Sequence, residues 1–548
     1  MAGFGRMRRV AIIGGGPAGL SMADQLAAIN ARVPAFSVTL FERRTAFGGV
    51  WTYDADPGDC DVRFDRHGRA HALWGGRKDG DDSGRFCPPG PMYDGLRTNL
   101  PCDIMTYRSH PYPPQTPLFP SRATVEKYIV DFANTLEPID MRLATAVKSV
   151  HRMSHDPAAA SQSIGAGSKW AIQSIDTTTG KERDEEFDCV VLASGRCNTP
   201  SIPFVKGLWD FRGTVMHSAW WRSPVPFAGR TVLVVGNSSS GSDIARELAG
   251  YILRSLPEGD TATRNYMARC DHDPPRILHS YEKFDAPPPL DYDPRSTDSP
   301  DWAKRITVVP RIDHIEPTQA GGSKIVFEDG ETRDDVDTII FGTGYAYDFP
   351  YLDQEAAPFD SHPLIPRPPS TPPQQVGGEV YDPLFRTSSK LTNLDDWSLF
   401  YAADASICVL GAPIRIVPMP LTHVQARIVA AAWSGHIDPH PHSALPSLDP
   451  SIPSTDPDKW TSSSTAPKQG ANSTTDLGYP SDTAYQNALL ALLPKELAQK
   501  GDDEETQVPE TQSNQPVLAK SEGWSIMPTF RNQRRQDTKR LRRLLLGY

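Results

Sequence analysis

The stretch Val10-Ala11-Ile12-Ile13-Gly14-Gly15-Gly16-Pro17-Ala18-Gly19-Leu20 decides the fold of this chain. Its first four residues form an apolar run typical of a buried strand, and the residues after Gly19 have the apolar spacing of a helix. A second apolar run, residues 38–41, follows and ends at Glu42. This order of strand, glycine turn, helix and strand is the unit from which parallel sheets are built. The sequence therefore predicts an α/β fold.

The glycine turn after the first strand has the spacing of a dinucleotide site, Gly14-x-Gly16-x-x-Gly19. In such a site the first glycine permits a tight turn, the second lets the backbone approach a pyrophosphate, and the third lets the helix pack on the strand. The helix N-terminus adds unpaired N–H groups and the positive end of its dipole. Glu42 closes the second strand, where a carboxylate accepts hydrogen bonds from ribose hydroxyls and repels a 2′-phosphate. We therefore expect FAD or NAD at this turn rather than NADP.

The same pattern starts again after Arg230. An apolar run at 231–235 is followed by Gly236-Asn237-Ser238-Ser239-Ser240-Gly241, in which Ser238 takes the place of the second glycine. No carboxylate closes the next predicted strand, and Ser280 and Lys283 lie there instead, which is compatible with a 2′-phosphate. One turn with an acid and one without predict FAD plus NADPH. The alternative is a second unit that serves only as structure.

Composition limits the other functions that the chain can have. A length of 548 residues is too great for one hydrophobic core, so two domains with appendages are expected. A formal net charge of −11 excludes a general nucleic-acid binder, since phosphate binding needs a basic face. The 7 cysteines are scattered and form no Cys-x-x-Cys motif, so neither a disulfide framework nor a metal site is expected. No apolar stretch is long enough to cross a bilayer, and we expect a cytoplasmic protein.

The rest of the chain carries weaker signals. Residues 52–95 are rich in Gly, Asp and Pro and predict a long irregular insertion, and a last strand is expected at 399–403. From 438 to 481 Pro, Ser, Thr and Asp dominate, which predicts disorder, with a short helix following at 484–498. The basic tail, 531–543, is followed by leucines, which favours a docking helix over a surface for nucleic acid or membrane.

Several further motifs occur along the chain in the order typical of one enzyme family. They are Gly48-Gly49-Val50-Trp51, Tyr93-Asp94-Gly95-Leu96-Arg97-Thr98-Asn99-Leu100-Pro101, Phe211-x-Gly213-x-x-x-His217-x-x-x-Trp221-Arg222, Ser240-Gly241-Ser242-Asp243-Ile244-Ala245, Phe341-Gly342-Thr343-Gly344-Tyr345 and Gln425-Ala426-Arg427. With the two turns they make residues 8–435 resemble the flavin-containing monooxygenases. Gly342 stands where that family has Ala, a difference that we expect to have no consequence.

The resemblance implies two dinucleotide-binding (Rossmann-like) domains, with the NADPH domain inserted into the FAD domain. It also implies an NADPH- and O₂-dependent monooxygenase of the N,N-dimethylaniline monooxygenase type, in which a C4a-hydroperoxyflavin oxygenates a thiol, an amine or another soft nucleophile. The expected divisions of the chain are 1–205 and 336–436 for the two parts of the FAD domain, 206–335 for the NADPH domain, 437–520 for a Pro/Ser-rich, largely disordered linker with a short helix, and 521–548 for a basic C-terminal helix.

The resemblance also implies roles for particular residues. Asn99 would be catalytic, because an amide can hydrogen-bond flavin or NADP⁺ beside the reacting oxygens without offering a proton; the alternative is a turn-forming asparagine before Leu-Pro. His217 lies in a linker fingerprint, which favours a structural role over that of a general base. The residues expected to bind FAD or NADPH are Gly14, Gly15, Gly16, Pro17, Ala18, Gly19, Glu42, Val50, Trp51, Thr98, Asn99, Leu100, Ser240, Gly241, Ser242, Asp243 and Gln425.

Two alternative functions stay open on the sequence. The family has Tyr or Phe where Trp221 stands, whereas the related Baeyer–Villiger enzymes have Trp, so ketone oxygenation is one alternative. The Ser240-Gly241-Ser242-Asp243 turn and the Asn99 segment favour sulfur or nitrogen instead. The other alternative, from a different class, is a flavin-binding scaffold without turnover. The expected partners are a small nucleophilic substrate and O₂, without nucleic acid or a transmembrane segment, and a homodimer is compatible with the sequence.

Overall fold

The computed structural model describes most of the chain, and the strands below are those of its described part. The described residues are 7–75, 89–108, 110–136, 139–153, 169–250, 274–289, 291–368, 371–395, 397–437, 477–509, 514–518 and 522–548. The strands are β1 (Arg8–Ile13), β2 (Phe36–Phe41), β3 (Cys60–Phe64), β4 (Ala70–Trp74), β5 (Asp140–Arg142), β6 (Thr145–Arg152), β7 (Trp170–Asp176), β8 (Glu182–Phe187), β9 (Cys189–Leu192), β10 (Thr199–Pro200), β11 (Thr214–His217), β12 (Thr231–Val235), β13 (Arg276–Ser280), β14 (Ile306–Val309), β15 (Ile312–Pro317), β16 (Ser323–Phe327), β17 (Thr332–Arg333), β18 (Thr338–Phe341), β19 (Tyr345–Ala346) and β20 (Ile407–Val409).

The α-helices of the described residues begin at signals that the sequence carries. Pro17 opens the first helix, where its missing N–H costs nothing, and the Ser121 side chain caps the second by accepting from the Thr124 N–H. The helices are α1 (Pro17–Asn30), α2 (Arg122–Thr135), α3 (Ser239–Leu248), α4 (Pro418–Trp433), α5 (Ser481–Ala491) and α6 (Thr529–Leu546).

The first large sheet is parallel throughout and has the order β20-β9-β1-β2-β5. Residues Val10 to Ile13 and the whole of β9 are buried, as expected for strands covered on both faces. Helices α1 and α4 pack together and supply much of the cover on one face. The glycine turn therefore leaves β1 at the carboxyl edge of this sheet, where ligands bind in folds of this kind.

The second large sheet is also parallel, with the order β11-β18-β12-β13-β14. Its strands all lie between Thr214 and Phe341, whereas β20 of the first sheet comes later in the chain. The second dinucleotide unit is thus inserted into the first. This confirms the predicted α/β fold of two Rossmann-like domains with one inserted into the other.

Two expectations about the FAD-side insertions and strands were wrong. The segment 52–95 is not irregular throughout, since β3 and β4 form an antiparallel hairpin within it. The last strand of the first sheet is β20 rather than 399–403. The chain reverses at Asp404, whose Oδ1 accepts from the N–H and hydroxyl of Ser406, and only the residues after this turn enter the sheet.

The chain after α4 is more ordered than its composition indicates. Residues 438–476, the core of the predicted disordered segment, lie outside the described residues. Residues 477–509, assigned to a linker, instead pack onto the first domain, because Tyr485, Leu489 and Leu497 are buried in the cluster that holds α1 and α4. The expectation of a largely disordered linker is therefore wrong for 477–509, whereas the short helix expected at 484–498 corresponds to α5 (Ser481–Ala491).

The basic tail forms α6 and docks onto the protein. Leu541 is fully buried against Leu118 and Phe119, and Phe530 packs beside Ile104. The prediction of a docking helix in this tail agrees with these contacts. Among the described residues, no helix combines the length and the apolarity that crossing a membrane requires.

Candidate cofactor and active site

The first turn contains three glycines, and two of them admit no side chain without a shift of the backbone. Gly14 has a φ of +110°, and a Cβ on Gly19 would lie 1.8 Å from the Gly14 carbonyl oxygen. Gly16 is less restricted, since a Cβ there would meet the Gly49 Cα at 3.2 Å, a tight contact. The strand, turn and helix can therefore approach this closely only without side chains at Gly14 and Gly19.

Glu42 holds the first turn from the end of the neighbouring strand. Its buried carboxylate accepts from the Gly15 N–H at 2.6 Å through Oε2 and from the Arg44 N–H at 2.8 Å through Oε1. Gly15 is needed here as well, because a Cβ would lie 2.9 Å from the Glu42 Cβ. A carboxylate has about four lone-pair sites, so Glu42 retains the capacity to accept from a ribose hydroxyl.

The groups around the first turn fit a dinucleotide with a flavin. No side chain caps the N-terminus of α1, so its first N–H groups are available to a diphosphate. The buried Thr98 Oγ1 has no hydrogen-bond partner within the protein and can bond to a ligand. Pro17 and Ala18 form the first residues of this helix, and both are half-buried.

The second turn repeats the glycine geometry of the first. Gly236 has a φ of +98°, and a Cβ on Gly241 would lie 1.7 Å from the Gly236 carbonyl oxygen. The expectation that Gly342 is inconsequential was wrong. A Cβ on Gly342 would lie 2.8 Å from both the Cα and the N of Gly241, so the turn packs against β18 only because this residue is glycine.

His279 supports the second turn and was missed by sequence reasoning. It lies in β13 opposite Val234, and its Nε2–H donates to the Gly236 carbonyl at 3.0 Å. Burial lowers the pKa of His279 to about 4, so the ring is neutral near pH 7. The one signal in the sequence is a histidine that directly follows the apolar pair Ile277-Leu278 in the strand beside the turn.

The N-terminus of α3 fits a second phosphate-bearing ligand. Ser238 is its exposed N-cap residue, and no side chain caps this helix end. Ser240 and Gly241 follow in the first turn of α3. Ser280, expected near a 2′-phosphate, is instead buried with its hydroxyl donating to the Pro310 carbonyl at 2.8 Å, whereas Lys283 is exposed.

Asn99 contacts the second turn from the FAD side of the protein. It lies in the segment after Tyr93 on the FAD side, and its Nδ2 donates to the Ser239 Oγ of the second turn at 3.2 Å. The Asn99 side chain is exposed to solvent and is therefore accessible to a ligand. The structure thus brings the predicted catalytic residue to the second glycine turn.

Two predicted NADPH-binding side chains have protein partners instead. The Ser242 hydroxyl donates to the Asn237 carbonyl at 3.1 Å, which closes the turn. The Asp243 carboxylate accepts from the Tyr93 hydroxyl and pairs with Arg246. These side chains therefore shape the second turn, and the binding of NADPH by these residues stays a prediction.

The other residues predicted to bind a cofactor differ in their surroundings. Gln425 is fully buried; its Oε1 accepts from the Gly411 N–H at 2.9 Å and its Nε2 donates to the Tyr485 hydroxyl at 2.8 Å, so it fixes the loop after β20 rather than facing a ligand. Val50 and Trp51 lie half-buried in a single 3₁₀ turn beside Gly49. Leu100 packs toward the cluster of Ile104 and Phe530.

The Trp221-Arg222 pair, which left ketone oxygenation open, is structural. Trp221 is buried in the core of the second domain, and its Nε1–H donates to Glu247 Oε2 at 2.9 Å. The Arg222 guanidinium donates to four backbone carbonyls, among them Asp54 and Gly90 of the first domain. Trp221 therefore carries no information about the substrate.

His217 is structural, as the fingerprint indicated. Its Nδ1 accepts from the Ala219 N–H at 3.2 Å, and its Nε2 donates to the Gly344 carbonyl at 2.9 Å. Complete burial lowers its pKa to about 4. A neutral ring with both nitrogens engaged cannot serve as a general base.

Two glycine turns at the carboxyl edges of two parallel sheets, with an asparagine between them, define a flavoprotein with two dinucleotide sites. Sequence comparison agrees. The family described as "Flavin-binding monooxygenase-like" matches residues 61–256 and 304–362, and an "NAD(P)-binding Rossmann-like domain" matches residues 12–83. The chain belongs to the flavin-containing monooxygenase family. It is an enzyme whose cofactors are FAD and NADPH.

Individual relatives cover most of the chain. It is 29% identical to the flavin-containing monooxygenase FMO GS-OX-like 4 of Arabidopsis thaliana, over 79% of this chain and 77% of the relative. It is 26% identical to the thiol-specific monooxygenase of Saccharomyces cerevisiae, over 78% and 77% of the two chains. The solved S-allyl-L-cysteine S-oxygenase of Allium sativum has the same fold, with a TM-score of 0.61 at 21% identity, covering 98% of this chain and 94% of that one.

Proposed function

We propose that the enzyme oxygenates a soft nucleophile, a thiol or an amine, at a site organised by Asn99. The observation that carries this proposal is the hydrogen bond between Asn99, in a segment of the FAD domain, and Ser239 of the second turn. A residue that comes from the FAD domain and bonds to the second turn is in a position to act between the two cofactors that we propose. The likeness to a thiol-specific monooxygenase supports sulfur as the preferred atom.

When bound, FAD and NADPH supply hydride transfer and the activation of O₂. The residues of this chain bind and orient the cofactors and the substrate, and they exclude water from the site. We propose that the first turn and Glu42 hold FAD, that the N-terminus of α3 holds the NADPH diphosphate, and that the Asn99 amide donates a hydrogen bond beside the reacting oxygens. An amide is suited to this role because it donates without releasing a proton.

The first test replaces Asn99 by Leu, which has similar bulk but neither an amide donor nor an acceptor. Losing one preorganised hydrogen bond costs about a hundred- to a thousandfold in catalysis. We expect Asn99→Leu to bind FAD and to consume NADPH, while releasing hydrogen peroxide and forming little oxygenated product. The measurement is peroxide and product per NADPH in the variant and the wild type.

The FAD content and the rate of flavin reduction by NADPH are the internal controls of this experiment, because in our proposal the Gly14–Gly19 turn and Glu42 hold the flavin nucleotide. An unchanged product yield per NADPH would return Asn99 to a turn-forming role. A loss of FAD would show instead that Asn99 supports the binding of the flavin.

A second test concerns the substrate class. Small thiols, tertiary amines and cyclic ketones are compared for their ability to raise product formation per NADPH in the wild-type enzyme. We expect thiols or amines to be oxygenated and ketones to remain unchanged. Oxygenation of a ketone without oxygenation of sulfur or nitrogen would reject the proposal in favour of Baeyer–Villiger chemistry.

We also propose a cytoplasmic location. The described cysteines, Cys60, Cys102, Cys189, Cys197 and Cys408, are free thiols, which suits a reducing compartment. Fractionation of the source cells tests the location. A homodimer is a further proposal, made on the sequence alone, and sedimentation of the FAD-loaded enzyme tests it.

A further inference from the structure

The C-terminal helix α6 is anchored on the FAD domain by buried charges. The Arg531 guanidinium donates to the Ile104 carbonyl and to the Thr106 hydroxyl, both at 2.7 Å, and the Arg534 Nε donates to Asp103 Oδ2 at 2.8 Å. Each of these arginines is almost fully buried. Since a buried charge is tolerated only with its partners, this end of α6 can dock on the FAD domain in only one position.

The other end of α6 reaches the NADPH domain. Gly547, with a φ of +80°, ends the helix as its N–H donates to the carbonyls of Arg542 and Arg543. The turn directs Tyr548 into the protein, where its ring is only 3% exposed. The Arg246 Cζ lies 3.5 Å from the centroid of this ring, and the Arg542 Cζ lies 4.7 Å from it on α6 itself.

Arg246 connects this contact to the second turn. Its guanidinium pairs with both Asp243 and Asp291, and Asp243 accepts from the Tyr93 hydroxyl. Tyr93 begins the segment that carries Asn99, and its ring packs in the core of the NADPH domain. A chain of direct contacts therefore runs from Tyr548 through Arg246 and Asp243 to the Asn99 segment.

We propose that Tyr548 is a positioning residue for the use of NADPH, a role that rests on the proposed function. The Tyr548 ring covers the Arg246 guanidinium, so that Arg246 keeps its place between the two carboxylates. Asp243 is then fixed as the acceptor of the Tyr93 hydroxyl. The α3 N-terminus and Asn99 consequently keep the relative placement that the Asn99–Ser239 hydrogen bond records.

The contact is well suited to this task because it is both strong and geometrically selective. A desolvated guanidinium attracts the face of an aromatic ring, and an aliphatic side chain of similar size offers no such face. Replacing the Tyr548 ring by an aliphatic side chain should therefore weaken the hold on the Arg246 guanidinium without leaving a cavity. The expected change in the KM for NADPH is about two- to thirtyfold.

The experiment compares Tyr548→Phe and Tyr548→Leu in the full-length, FAD-loaded enzyme. Phe keeps the ring face, whereas Leu keeps apolar bulk alone. We expect Y548L to raise the KM for NADPH and to increase peroxide per NADPH, with an unchanged KM for the thiol. Y548F should behave as the wild type. The matched control on the same helix is Arg540→Ala, an exposed residue paired with Asp537, which should change nothing.

The outcomes separate this inference from the proposed function. If the wild type fails to couple NADPH to oxygenation, the proposed function is wrong, and Tyr548 loses its role with it. If the wild type couples NADPH to oxygenation and Y548L shows the same KM for NADPH and the same coupling as the wild type, the positioning role is wrong. The same conclusion follows if Y548F is as impaired as Y548L. Should Y548L lose FAD or its cooperative melting, Tyr548→Met, which fills irregular space, takes its place under the same criteria.

Discussion

The two glycine turns are alike in their backbones and differ in what holds them. In each turn, a Cβ added to the last glycine would lie within 2 Å of the carbonyl oxygen of the first glycine. The first turn is fixed by Glu42, which belongs to the same domain. The second has His279 from its own domain but also Asn99 and Tyr93 from the other.

This difference teaches that one site is self-contained and the other is part of an interface. The FAD turn needs only its sheet, its helix and a carboxylate from the neighbouring strand. The NADPH turn gains its final form from contacts that cross between the domains. We therefore expect FAD binding to withstand changes elsewhere in the protein, and NADPH use to be sensitive to them.

The largest expected effect comes from one substitution in each turn, because the first should abolish FAD binding and the second should slow flavin reduction by NADPH. Gly19→Ala places a methyl group on the Gly14 carbonyl and should yield flavin-free protein. Gly241→Ala does the same to Gly236 and should leave FAD bound while slowing flavin reduction by NADPH on the order of a hundredfold, since a misplacement of about 1 Å costs that much. The flavin absorbance and stopped-flow reduction measure both.

Gly377→Ala is the control for this pair, because an added Cβ there meets nothing within 4 Å. It should retain FAD and wild-type reduction. If Gly241→Ala lost its FAD as well, the two sites would not be separable as described. Wild-type reduction in Gly241→Ala would remove the second turn from NADPH binding.

An intermediate effect concerns the coenzyme preference of the second turn. Lys283 is exposed shortly after β13, at the edge of the sheet from which the turn emerges. NADPH should reduce the flavin faster than NADH, and Lys283→Glu should narrow the ratio on the order of tenfold, which corresponds to about 1.4 kcal/mol.

Lys304→Glu reverses the charge of another exposed lysine of the same domain and serves as the control. Equal rates with NADPH and NADH in the wild type would contradict the assignment of this turn to NADPH. A ratio that is the same in Lys283→Glu as in the wild type would remove Lys283 from the 2′-phosphate site.

The smallest effect is a pH dependence at the interface between the domains. Burial raises the pKa of Glu247 from 4.5 to about 8. Between these values the folded protein holds a proton that the unfolded chain releases, so this group lowers stability as pH rises through the window. Glu247→Gln keeps an acceptor for the Trp221 N–H and removes the ionisation. It should therefore be more stable than the wild type near pH 8.5, by on the order of 1–3 kcal/mol, and equal near pH 5.

Thermal unfolding at pH 5, 7 and 8.5 measures this difference. Glu328→Gln, at an exposed carboxylate paired with Arg311, is the control, and its difference in stability from the wild type should not grow as pH rises. A gap between Glu247→Gln and the wild type that does not grow with pH would show that Glu247 is already ionised in the folded protein.

The sequence could predict the cofactor turns because their requirements are local. Tight turns and close approach depend on the absence of a side chain, and Gly14, Gly19, Gly236 and Gly241 carry that information in themselves. Glu42 could be found because the length of one strand–helix–strand unit brings it to the turn. Apolar periodicity likewise predicted the parallel sheets.

The supporting residues could not be predicted in the same way. Asp243, Ser242 and Gln425 were assigned to cofactors because they stand in recognisable motifs, yet their side chains bond to protein groups. Gly342 and His279 matter only because strands distant in the sequence lie beside the second turn. A motif gives the position of a residue but not the direction in which its side chain points.

By itself the sequence determined two dinucleotide units and the residues that form their turns, because periodicity and glycine spacing act over a few residues; the insertion of one unit into the other was implied by the family resemblance. Only the tertiary structure decided that Asn99 meets Ser239, that Tyr93 bonds to Asp243, and that the ring of Tyr548 covers Arg246. These contacts join residues that are 140 or more positions apart, and hydrogen bonds, ion pairs and ring stacking require that the groups be within a few ångströms of each other. That proximity exists only once both sheets have formed and the last helix has docked.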